Sequence, residues 1–268
     1  MSGMKKYKRL IPVAAVVLLL GILLAFGLTS AYLTDKDIAS NVVTIGKVSL
    51  ELDEGSFVDS SVIAAGQSLV KAPSLKNTGT VDEYVFISVA VPKKTVTLLY
   101  EDSTAGENAH RKGTKIYGEP REDEIFRMIA EGGNVAEIEG NDNASVALTY
   151  HAGTASAEGW VSLNTFNTEK VTDGVRYKIY YFGYNKRLAA EGNAETVTLF
   201  DRIQLKSFID EELTNENRED TPVTVKISAY GIQADKLGID GLPAGDGYLT
   251  KQQLSEVFGV VMRKQATA

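Results

Sequence analysis

The run Tyr84-Val85-Phe86-Ile87-Ser88-Val89-Ala90-Val91 decides the fold. It is dominated by β-branched and aromatic side chains and contains no Gly or Pro, so it reads as a strand. Both of its faces are largely apolar. Outward from it, residues 175–182 (Val-Arg-Tyr-Lys-Ile-Tyr-Tyr-Phe) form a second two-faced run. Val223, Val225, Ile227 and Ala229 alternate with Thr224, Lys226, Ser228 and Tyr230, and Val48, Leu50 and Leu52 alternate with Ser49, Glu51 and Asp53. That period of two marks half-buried strands. Shorter strands are expected at residues 96–100, 145–150 and 197–205. Clusters of turn residues separate them, such as Lys76-Asn77-Thr78-Gly79 and Gly140-Asn141-Asp142-Asn143. The pattern predicts an all-β chain folded as a jelly-roll-like β-sandwich with a few short peripheral helices.

Two helices are expected at the margins. Pro120 followed by residues 121–131, with Ile125, Phe126, Met128 and Ile129 on about one face and Gly132-Gly133 as a stop, reads as a short amphipathic helix. Residues 249–264 read as a terminal helix. There Thr250 and Gln253 form a capping box, Leu249 and Leu254 a hydrophobic staple, and Leu254, Val257, Phe258 and Val261 an apolar stripe. Residues 101–119 are polar and charged and are expected to be a long loop.

Charge is unevenly placed. The chain has 268 residues, 28 basic and 35 acidic, for a net charge of −7. Residues 1–31 hold Lys5, Lys6, Lys8 and Arg9 and no acid, and Leu10 to Leu28 is uncharged and apolar. This is the layout of a signal peptide, with Thr29 and Ala31 at −3 and −1 of a cleavage between Ala31 and Tyr32. The alternative is a retained membrane anchor. Cleavage leaves 24 basic against 35 acidic residues, a net charge of −11 over 237 residues read as one secreted domain, 32–268. An acidic chain of this kind is not a general nucleic-acid binder.

The chemistry of the side chains is sparse. There is no cysteine and there are two histidines, His110 and His151, so thiolate metal sites and disulfides are excluded. No His-Glu-x-x-His, Gly-x-Ser-x-Gly or Ser-x-x-Lys arrangement in a credible context is present. No catalytic, metal or cofactor-binding residue is assigned. The stretch Asp240-Gly241-Leu242-Pro243-Ala244-Gly245-Asp246-Gly247 fails the EF-hand pattern and reads as a turn; its Leu242-Pro243-Ala244-Gly245 is not a sortase signal.

Several stretches together resemble a known family. Thr29-Ser30-Ala31-Tyr32-Leu33-Thr34-Asp35-Lys36-Asp37, followed by Asn41-Val42-Val43-Thr44-Ile45-Gly46-Lys47-Val48, is similar to the start of the TasA/camelysin proteins of Gram-positive bacteria. The Lys76-Asn77-Thr78-Gly79 turn running into Tyr84-Val85, and the run from Val225 to Ala234, resemble its core and closing strands. Residues 100–195 carry no motif of the family. The resemblance implies a secreted jelly-roll protein processed by a SipW-type signal peptidase, forming fibres of the extracellular or biofilm matrix with copies of itself and with other matrix proteins. It also implies donor-strand addition by residues 32–45, with Tyr32, Ile38, Val42, Val43 and Ile45 as the strand; alternatively Tyr32 to Asn41, Val42 to Ile45, or both belong to the first strand of the chain's own sandwich. No cofactor is expected. Two other readings are a monomeric surface adhesin or glycan-binding sandwich using Trp160, Tyr180 and Tyr184, and a metallo-endopeptidase, the label some members carry.

Overall fold

The computed structural model describes residues 48–55, 64–100, 110–113, 115–132, 134–135, 148–192, 194–208, 224–235, 237–243 and 245–266. Its centre is the strand Glu83–Val96 (β4), which contains the run quoted first. On one edge β4 pairs antiparallel with Val175–Tyr184 (β14), with Phe182 opposite Ile87 and Tyr180 opposite Val89. Its other edge is shared by Lys226–Gln233 (β16) and Arg121–Glu124 (β8). The far edge of β14 carries Trp160–Ser162 (β12) and Thr168–Thr172 (β13). The β13–β14 hairpin closes through Asp173-Gly174, both at positive φ (52° and 76°), which suits a two-residue loop between twisted strands.

A second sheet covers one face of this six-stranded sheet. Leu50–Asp53 (β1) pairs with Ser74–Asn77 (β3). Arg202–Leu205 (β15) lies between Ser68–Val70 (β2) and Phe126–Ile129 (β9). The chain leading into β15 continues that ladder, since Thr196 N–H donates to the Leu75 carbonyl and Leu199 N–H to the Pro73 carbonyl. Smaller pairings join Asn134–Val135 (β10) to Thr149–Tyr150 (β11), and place Lys115–Tyr117 (β7) between Leu99–Tyr100 (β5) and His110–Lys112 (β6). The product is an all-β sandwich.

Period two explains which side chains fill it. Val85, Ile87, Val89 and Val91 of β4, Tyr180 and Phe182 of β14, and Ile227 and Ala229 of β16 face the second sheet and share one core with Leu75, Met128, Leu199 and Phe200. The alternate residues Tyr84 and Phe86, with Tyr181 and Ile232, face the other way. They are covered by the helix Lys251–Ala266 (α1), whose buried residues are Leu254, Val257, Phe258 and Val261. The two apolar faces of the opening run therefore belong to two cores. The capping box forms: Thr250 N–H donates to Gln253 Oε1 (2.8 Å) and Gln253 N–H to Thr250 Oγ1 (3.3 Å). Gly183 makes the helix seat, because a Cβ there would lie 3.0 Å from the Phe86 ring and 3.1 Å from Leu254 Cδ2.

Four expectations are corrected. Residues 121–131 form strands β8 and β9, not a helix: Phe126 and Met128 are buried while Arg127 and Ile129 are half-buried, and pairing with β4 and β15 satisfies the backbone. Ile125, at the break between the two strands, made the spacing mimic a helical face. Of the expected loop 101–119, residues 110–117 contain the β6–β7 hairpin. The expected strand at 96–100 is divided, since β4 ends at Val96 and β5 starts at Leu99, and regular strand at 197–205 is confined to β15. The helical content described is α1 and the 3₁₀ turn Asn164–Phe166.

Candidate functional site

The residues assigned to cleavage and strand donation, Ala31, Tyr32, Ile38, Val42, Val43 and Ile45, lie outside the described residues. The surface that could receive a strand is described. Among the described residues β16 pairs only with β4, so its other edge carries no strand. It offers eight residues, Lys226–Gln233. The described chain begins beside it. Val48 and Leu50 are buried and pack against Gly231, where a Cβ would fall 2.8 Å from Val48 Cγ1, 2.8 Å from Leu50 Cδ1 and 2.9 Å from Glu83 Oε2.

Glu83 is the unusual group at this corner. Its side chain is fully buried at the start of β4. Ser49 N–H donates to Oε1 (3.1 Å), and among the described residues Oε2 has no hydrogen-bond partner. Burial pushes the carboxyl up from 4.5 to about 7, against the lowering effect of the Ser49 N–H. Nothing in the sequence marked it, because a Glu before an apolar strand ordinarily sits at the solvated end.

A second polar cluster is buried at the other end of β4. Lys206, which follows β15, is 5% exposed, and its Nζ donates to Asp123 Oδ1 at 3.2 Å with Glu124 Oε2 at 4.0 Å. Arg121 Nε and Nη2 donate to Asp123 Oδ2 at 3.0 and 2.7 Å. Tyr180 O–H donates to Glu124 Oε1 at 2.7 Å. Burial pushes the Lys206 amine below its ordinary value, against the pull of Asp123 and Glu124. Burial also pushes Asp123 up, but Lys206, Glu124 and Arg121 outweigh it and hold the carboxyl below the usual range.

The histidines are apart from both clusters. His110 Nε2 meets Glu119 Oε1 at 2.7 Å on an exposed hairpin. His151 Nε2 faces both oxygens of Asp201, at 3.0 and 3.1 Å. Partial burial pushes Asp201 up, but the Glu131 N–H and the His151 ring outweigh it and keep it below its ordinary value. Each imidazole is thus engaged by one carboxylate, whereas a zinc site needs three or four converging donors. Among the described residues no group of three or more His, Asp or Glu could hold a metal ion, so their donor set does not fit one. The aromatics considered for sugar stacking are in the core: Trp160 is 0%, Tyr184 1% and Tyr180 4% exposed. Trp160 Nε1–H donates to the Val197 carbonyl (2.9 Å), and its ring meets Tyr184 edge-on at 5.2 Å. Among the described residues no helix is long and apolar enough to cross a membrane.

No curated protein and no solved structure matches the chain. Residues 6–111 match the family model described as camelysin metallo-endopeptidase. That span includes the opening motif, the Asn77 turn and the start of β4. Over these residues, less than half of its length, the chain is similar to the TasA/camelysin family.

Proposed function

We propose that this protein is a structural subunit of extracellular or biofilm-matrix fibres, secreted after a SipW-type peptidase cuts between Ala31 and Tyr32. Residues 32–45 of one copy then add as a strand to the β16 edge of the next. The observation that carries this reading is that, among the described residues, β16 has a strand on one side only, at the corner where the described chain begins at Val48. An unpaired row of backbone donors and acceptors is a template for another strand. At about 3.4 Å per residue, eight residues of β16 need about 27 Å of partner, and fourteen extended residues supply about 48 Å. Addition of this kind is head-to-tail and builds open filaments. Other matrix proteins with a free N-terminal strand could join the same edge.

Electron microscopy and light scattering of residues 32–268 and 42–268 test the reading. The longer chain is expected to form filaments and the shorter to remain monomeric with the same circular dichroism spectrum. Monomers alone under all polymerising conditions, or unimpaired filaments from the shorter chain, would overturn it. The family's description favours a second reading, metallo-endopeptidase, which chelator-sensitive cleavage abolished by substituting His110 or His151 would establish.

A further inference from the structure

We propose that Lys206 and Asp123 condense into an intramolecular amide cross-link, with Glu124 carrying the protons and Arg121 holding the oxyanion. The four side chains come from two places in the sequence. Arg121, Asp123 and Glu124 lie on β8, and Lys206 follows β15. The backbone fixes their approach. Lys206 N–H donates to the Ile125 carbonyl (2.8 Å), and Leu99 N–H donates to the Ser207 carbonyl (2.9 Å), so Lys206 lies in a segment bonded on both sides. Lys206 and Asp123 side chains are 4% and 9% exposed.

The parts of an acyl transfer are present. Nζ is the nucleophile and donates to Oδ1 at 3.2 Å, which holds it one bond away from Cγ, the carbon it attacks. Oδ2 receives two N–H donors from Arg121, which is where negative charge develops when Nζ adds to Cγ. Glu124 is next to Asp123 on β8, its Oε2 lies 4.0 Å from Nζ, and its Oε1 is held by the Tyr180 hydroxyl. A small side-chain shift or one bridging water puts it in reach to take a proton from nitrogen and pass it to Oδ1.

The step balances without another reagent. The starting pair is the Lys206 ammonium and the Asp123 carboxylate. Nζ loses two protons through Glu124, the Nζ–Cγ bond forms, and the Cγ–Oδ1 bond breaks. Oδ1 leaves with both protons as one water, and nothing is oxidised or reduced. Burial favours the product, because two charges held away from solvent are replaced by a neutral amide. Burial also pushes the Lys206 amine toward its nucleophilic, uncharged form. A chain with no cysteine would gain a covalent clip between β8 and the segment after β15, joining residues 83 apart in the sequence.

Mass spectrometry of the purified full chain tests it. Trypsin should release residues 122–127 joined to residues 203–218, one water lighter than the two together, with no cleavage after Lys206. Lys206→Arg and Asp123→Ala should lack this species. Glu124→Gln should form it roughly 100-fold more slowly, the loss expected for one proton-transfer group. Separate 122–127 and 203–206 peptides from wild type after prolonged incubation would overturn the proposal. A joined species that persists in Lys206→Arg would overturn it equally.

Discussion

Replacing Glu83 by Gln should make the protein more stable at pH 8 and change it little at pH 4.5. The carboxyl is buried, with Oε1 on the Ser49 N–H and Oε2 without a partner among the described residues. Its folded-state value is about 7 against an ordinary 4.5. Between those values the native state holds a proton that the unfolded chain has released, so stability falls as pH rises through that window and is level above it. Each pH unit is worth about 1.4 kcal/mol, so the group costs about 3 kcal/mol at pH 8. Glutamine can still accept from Ser49 but carries no charge to desolvate. The difference in unfolding free energy, variant minus wild type, should therefore rise by about 3 kcal/mol from pH 4.5 to 8. For a chain of this size that corresponds to roughly 6–12 °C in melting temperature. Urea unfolding of both proteins at pH 4.5, 5.5, 6.5 and 8 measures it. A difference that does not vary with pH would refute the reasoning, since it would mean that Glu83 is solvated or paired when ionised.

Three other outcomes follow from the packing. Phe258→Ala should cost about 3–5 kcal/mol by chemical denaturation, because the ring is fully buried and meets Phe86, Phe166 and Tyr181 at 4.9, 5.0 and 5.2 Å. Gly183→Val should cost about 1–3 kcal/mol and loosen α1, seen as faster amide exchange across residues 251–266, since its Cβ would displace Phe86 or Leu254. The single tryptophan, Trp160, should emit to the blue and resist acrylamide quenching until the protein unfolds, and sugars should leave its emission unchanged.

Strands β4, β14 and β16 and helix α1 were legible because each carries its burial pattern locally. Two-faced runs became the strands with a core on either side, and Thr250 and Gln253 marked where the helix starts. Residues 121–131 misread because apolar positions at Ile125, Phe126, Met128 and Ile129 fit one helical face as well as two strands with a break. Only partners far along the chain, β4 and β15, choose between them. The aromatics Trp160, Tyr180 and Tyr184 likewise could be read as core or surface until the second sheet covered them.

By itself the sequence determined the class of fold and the family likeness of its first part, since periodicity and motifs are properties of neighbours in the chain. Tertiary structure decided what happens to charge. Glu83 is buried because β1 and β16 close over it, with Gly231 leaving the room. Lys206 meets Asp123 and Glu124 because the end of β15 lies against the β8–β9 break. Burial and proximity are set by distant backbone pairing, so neither cluster leaves a signature in the order of residues.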